Sequence, residues 1–109
     1  MSLSLKIHAE GEEATVACSG KLVAGVTETL STEVRELLPK CARVVLDFTE
    51  LEKMDSMGLG TIVRLMVSAK RAGCRLEFIN VSARVKELFG ITGLMSILES
   101  CGEQRTRLP

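Results

Sequence analysis

Asp55, Ser56 and Gly58 are the residues of this 109-residue chain whose types and spacing point most directly to chemistry. They follow an apolar run at residues 44–46 and precede a stretch of helical periodicity, so Ser56 is predicted to be the N-cap of a helix. The first turn of a helix has unpaired N–H groups and a partial positive charge. An oxygen there, of a hydroxyl or of a phosphate, is therefore electrostatically favoured.

Ser56 and Asp55 each have two interpretations. As a cap alone, the Ser56 hydroxyl would stabilise the helix by about 1 kcal/mol. As a phosphoacceptor, it would carry a regulatory charge at the same place. Asp55 either orients the serine or a metal-nucleotide during phosphate transfer, or it hydrogen-bonds the local backbone.

The spacing of other reactive residues supports no catalytic or cofactor site. Gly58 and Gly60 form a Gly-x-Gly pair, but Val63 stands where a dinucleotide-binding loop needs its third glycine. Met54 stands where a hydrolase nucleophile turn needs glycine. The single histidine, His8, lies on a predicted strand. We therefore expect no enzyme, cofactor or metal site, and we expect the two glycines to let the helix approach the sheet closely.

The four cysteines are spread along the chain without a Cys-x-x-Cys pair, at positions 18, 41, 74 and 101. This spacing suits neither zinc nor a redox dithiol, and a chain with 46% hydrophobic residues can form a core without disulfides. We expect reduced structural thiols that are unreactive in the native protein, apart from Cys101 near the tail.

The elements that must position Ser56 can be predicted from the hydrophobic pattern. Strands are expected at residues 5–9, 14–19, 44–46 and 75–81, with a polar exit loop at 47–53. Helices are expected at 26–38 and 57–72, the second with apolar residues 59, 62, 63, 66 and 67 on one face. Ser82 is expected to cap a short helix, and Thr92 a last turn. The order predicts an α/β fold, a small open mixed sheet of about four strands with helices packed against it.

Composition limits the classes of partner. Fourteen basic and fourteen acidic residues cancel, and there is neither Trp nor Tyr, so nothing favours binding to nucleic acid or an anionic membrane. No apolar run is long enough to span a bilayer, and the first six residues do not resemble a signal peptide. We expect a single cytoplasmic domain over residues 1–109, with its core at about 3–99 and a polar tail at 100–109.

Residues 55–60, Asp-Ser-Met-Gly-Leu-Gly, closely resemble the Asp-Ser-x-Gly-Leu-Gly signature of the STAS family, which sulfate transporters and bacterial anti-sigma factor antagonists share. The resemblance covers about residues 3–99, through the Gly-Lys-Leu turn at 20–22, the strand at 45–48 and Thr-Gly-Leu at 92–94. It implies that a partner kinase phosphorylates Ser56. Many family members have an acidic residue where this chain has Val23, a departure that concerns the identity of the partner.

The resemblance also implies a mechanism and a contact surface. An ATP-dependent serine kinase that doubles as an anti-sigma factor would be bound while Ser56 is unmodified and released after phosphorylation. A serine phosphatase and a second copy of the chain are further expected partners. The implied surface, in which exposed methionines suit adaptable contacts, comprises Leu22, Val23, Met54, Asp55, Ser56, Met57 and Gly58. The alternatives are that the methionines are core filler and that the chain is an unphosphorylated scaffold subunit of a transporter or stress-signalling complex.

Overall fold

The computed structural model describes residues 3–83 and 85–87. Its elements are β1 (Leu3–Glu10), β2 (Glu13–Leu22), α1 (Thr27–Leu37), β3 (Arg43–Met54), α2 (Ser56–Ala72) and β4 (Arg75–Ile79). The strands form one sheet in the order β1-β2-β3-β4, in which β1 is antiparallel to β2 and the other neighbours are parallel. The predicted α/β fold with a small mixed sheet is confirmed.

One apolar core lies between a face of the sheet and the helices. Alternate residues of the strands are buried there, as a period of two requires, and α1 and α2 add residues at helical spacing. The rings of Phe48 and Phe78 lie 5.9 Å apart at its centre. Each large side chain buried in this way contributes about 1.5–3 kcal/mol. The largest members are Phe48, Phe78, Leu3, Leu22, Leu30, Leu46, Ile62 and Leu65.

The third strand is longer than predicted, because residues 47–53 belong to β3 and are not an exit loop. β4 pairs with β3 only as far as Ile79 and Asp47, whereas β2 stays paired with β3 to Leu22 and Met54. Register shifts between β2 and β3 break the two-residue alternation that would have revealed the strand. As a result, β2 and β3 end side by side, and this brings residues 22–25 next to the start of α2.

A buried carboxylate ties together three strands on the other face of the sheet. Glu77 is 2% exposed, and its oxygens lie 2.6 Å from Arg43 Nη2 and 3.0 Å from Arg75 Nε. Arg43 Nη1 also lies 3.1 Å from Glu13 Oε1. The charged hydrogen bonds satisfy groups that would be costly to bury alone.

The ends of α2 and of β4 follow the predicted signals in part. Gly73 ends α2 with a φ of 72°, the left-handed region that glycine adopts without strain. Ser82 Oγ accepts the Val85 N–H at 3.2 Å, which confirms the predicted cap. The predicted helix residues 88–98, the Thr92 cap and the tail lie outside the described residues. No helix within 3–83 and 85–87 has the length and apolar character that a membrane crossing needs.

Two predictions about individual side chains need correction. Val67, expected on the buried face of α2, is 49% exposed, because it lies opposite the side that packs on the sheet. Cys41, expected to be buried like the other structural thiols, is only half-buried, whereas Cys18 and Cys74 are buried. None of these three described cysteines is in a disulfide. Burial, with a smaller effect of the Asp47 charge, raises the pKa of Cys18 to about 12, and burial also raises the pKa of Cys74.

Thiol reactivity should follow this burial. At about pH 8, an alkylating reagent should modify Cys41 well before Cys18 or Cys74, because the reactive form is an accessible thiolate. Timed quenching and peptide mapping by mass spectrometry measure the three rates, and unfolding in denaturant should make them similar. A native Cys18 that reacts as fast as Cys41 would contradict the burial described above.

Candidate functional site

Asp55, and not Ser56, is the N-cap of α2. The Asp55 backbone is extended, with φ −108° and ψ −175°, and its Oδ1 accepts a hydrogen bond from the Gly58 N–H at 2.9 Å. Ser56 is the first helical residue. The prediction that Ser56 caps the helix is therefore wrong by one position. Aspartate and serine are equally good caps, so the adjacent pair could not be resolved from residue type.

The second carboxylate oxygen of Asp55 holds the loop between β2 and α1. Oδ2 accepts the Ala24 N–H at 3.0 Å, and the Asp55 N–H donates to the Leu22 carbonyl oxygen at 3.3 Å. The N–H groups of Ala24 and then Gly58 are the main cause that lowers the pKa of Asp55 below its ordinary value. Both oxygens therefore bind backbone, which favours the local hydrogen-bonding interpretation of Asp55.

The Ser56 side chain is exposed to solvent. Its hydroxyl makes no hydrogen bond with any residue that the structure describes. The hydroxyl nevertheless lies in the first turn of α2, where the helix dipole favours a negative charge. Capping by Asp55 thus leaves the Ser56 oxygen accessible for modification.

Gly58 lets α2 lie directly against the end of β2. A Cβ at Gly58 would overlap the Leu22 carbonyl oxygen and lie 3.0 Å from Leu22 Cγ and from Met54 Cγ. A Cβ at Gly60 would meet no atom within 4 Å. The predicted close approach is confirmed for Gly58 and is wrong for Gly60.

The structure brings residues 22–25 beside residues 54–58, but only part of this predicted surface is exposed. Met57 is 54% exposed, whereas Met54 is half-buried and packs against the core. Leu22 and Gly58 are buried, so the prediction that they contact a partner is corrected: they support the site from below. The exposed residues are Ala24, Gly25, Ser56 and Met57, and Val23 and Asp55 are half-buried.

Comparisons with known proteins give the family and the fold. A family model described as the STAS domain matches residues 6–105. The anti-sigma-B factor antagonist of Bacillus subtilis (strain 168) is 26% identical over 99 residues, which cover 91% of each chain.

Two solved structures share the architecture. The anti-sigma factor antagonist SpoIIAA in its unphosphorylated form matches with a TM-score of 0.74 and 17% identity, over 97% of this chain and 88% of that one. A sulfate transporter family protein from Wolinella succinogenes matches with a TM-score of 0.75 and 18% identity, over 91% and 79%. At these identities the two structures show the fold alone.

Replacing the two glycines by alanine should have opposite effects. Gly58→Ala should lower the free energy of unfolding by about 1–3 kcal/mol, because its methyl group overlaps backbone that must shift. Gly60→Ala should raise it by up to about 1 kcal/mol, because alanine favours a helix where space is open. Denaturant unfolding measures both changes, and similar values for the two variants would exclude the close approach at Gly58.

Removing the Asp55 carboxylate should cost more than removing the adjacent hydroxyl. Asp55→Ala should lower the free energy of unfolding by about 1–2 kcal/mol through loss of the cap. Ser56→Ala, the matched control, should change it by less than about 0.5 kcal/mol. A larger loss for Ser56→Ala, measured by the same denaturant titration, would restore serine as the cap.

Proposed function

The chain belongs to the STAS domain family, and from this premise we propose that it is an anti-sigma factor antagonist gated by phosphorylation of Ser56. The likeness to the Bacillus subtilis anti-sigma-B factor antagonist over nine-tenths of both chains supports the class. The observation that supports gating is the exposed Ser56 hydroxyl, which is not needed to cap α2 because Asp55 does so.

In this proposal the unmodified protein binds a serine kinase that doubles as an anti-sigma factor. The kinase contacts Ser56, Met57 and the exposed part of residues 23–25. Binding sequesters the kinase and so frees its sigma factor. A methionine that is half exposed suits such an interface, because its flexible side chain adapts to the partner surface.

Phosphate transfer from ATP ends the complex. The Ser56 Oγ forms a bond to the γ-phosphorus, the bond to the ADP oxygen breaks, and the hydroxyl proton passes to a base of the kinase. The product carries about −1.5 to −2 additional charge. This charge lies next to the ionised Asp55 and would lose water in the interface, so the phosphorylated protein is released.

The fold itself is expected to tolerate this modification. α2 has no acidic residue in its first turn, and the dipole at its N-terminus favours a phosphate there. Asp55 keeps its two backbone partners because they do not involve the serine hydroxyl. Phosphorylation would therefore change the surface without unfolding the site, and a serine phosphatase would reverse it.

Variants at Ser56 test the gating. Ser56→Ala should bind the organism's anti-sigma factor kinase like the parent, but ATP should no longer weaken the complex, because no phosphate can be added. Ser56→Asp should remain folded and bind about tenfold more weakly, since its carboxylate must be desolvated. Affinity is measured with and without ATP, and intact mass reports the phosphate.

Ser68→Ala, on the same helix, is the matched control and should be phosphorylated like the parent. A parent that binds the kinase without gaining a phosphate, or a Ser56→Asp variant that binds as tightly as the parent, would favour the unphosphorylated scaffold.

A further inference from the structure

The solvent side of α2 exposes large hydrophobic side chains. Only Ile7, Met57 and Val67 are large hydrophobic side chains exposed among the described residues, and two of the three lie on α2. Val67 is 49% exposed, ten residues beyond Met57. The core does not account for these side chains, because the opposite side of the helix packs on the sheet.

Ser56 is the first member of an uncharged stripe along this side of α2. Ser56, Gly60, Val63 and Val67 are separated by four, three and four residues, the spacing that keeps side chains on one side of a helix. Ser56 and Val67 are exposed, and the two residues between them are half-buried. The stripe is about 16 Å long, from the eleven helical rises between Ser56 and Val67.

The rim of the stripe is basic. α2 contains no Asp or Glu, and Arg64, Lys70 and Arg71 are exposed along it. None of the three forms an ion pair with a residue in the described part of the chain. Since acidic and basic residues of the whole chain cancel, this charge is a local property of α2.

We propose that this α2 stripe, rimmed by Arg64, Lys70 and Arg71, is the main docking surface for the partner kinase. The kinase surface that covers it is apolar along its centre and acidic at its rim. The inference rests on the proposed function and adds to it the extent of the interface and the chemistry of the partner. Open space at Gly60 lets the partner backbone approach the helix.

The charge pattern also indicates that phosphorylation of Ser56 lowers the affinity for the partner. An acidic partner is attracted to the unmodified stripe, and complementary charges increase both association rate and specificity. A phosphate on Ser56 places negative charge at one end of the same stripe, against that acidic rim. Repulsion between the phosphate and the acidic rim then adds to the cost of desolvating the phosphate, and the phosphorylated protein dissociates from the kinase.

Matched substitutions test the docking surface with the purified kinase. Lys70→Glu should lower the affinity about tenfold or more, while Lys6→Glu, at an exposed position on β1, should leave it unchanged. Val67→Ser should weaken binding, while Ile7→Ser, at the third exposed hydrophobic position, should not. Thermal melting checks that all four variants remain folded. Equal losses within either pair would overturn the proposal.

A second probe keeps the two proposals distinguishable. A designed amphipathic helical peptide with a leucine face and a glutamate rim should shift the NMR signals of exposed α2 amides saturably. The same peptide with a lysine rim should not. Equal binding of both peptides, or self-association that Lys70→Glu disrupts, would overturn the docking proposal.

Discussion

The Asp55 carboxylate is the constraint on which the site depends. One oxygen accepts the Gly58 N–H at the start of α2, and the other accepts the Ala24 N–H from a loop 31 residues earlier. This arrangement requires β2 and β3 to end side by side and requires a residue without a side chain where α2 crosses the Leu22 carbonyl group. The position of Ser56 follows from these contacts, because it is the next residue and begins the helix.

The two adjacent residues have separate tasks. Asp55 stays ionised and accepts hydrogen bonds from two backbone N–H groups. Ser56 faces solvent without a hydrogen-bond partner among the described residues. In the proposed function, a modification of Ser56 therefore alters the surface offered to the kinase while the local structure persists. Under the docking proposal this change weakens binding, because negative charge at the first residue of α2 opposes the attraction of its basic side for an acidic partner.

Much of the fold was predictable because local signals agreed with the final packing. Helical periodicity, the stop at Gly73 and the need for glycine at position 58 all proved correct. The second half of β3 was missed because two register shifts against β2 break the alternation of buried residues. The cap was misplaced because Asp55 and Ser56 qualify equally. Val67 was assigned to the core because hydrophobicity alone does not show which side of a helix lacks a covering element.

Titration of the Ala24 and Gly58 amide protons by NMR tests the central role of Asp55 most directly. Because its pKa is lowered on folding, Asp55 stabilises the protein above the ordinary aspartate value of about 3.9, and the contribution is lost as pH falls through the folded value. Both amide signals should shift together, with one midpoint below that ordinary value, since both donate to the same carboxylate. Two different midpoints, or a shared midpoint at or above the ordinary value, would contradict the account.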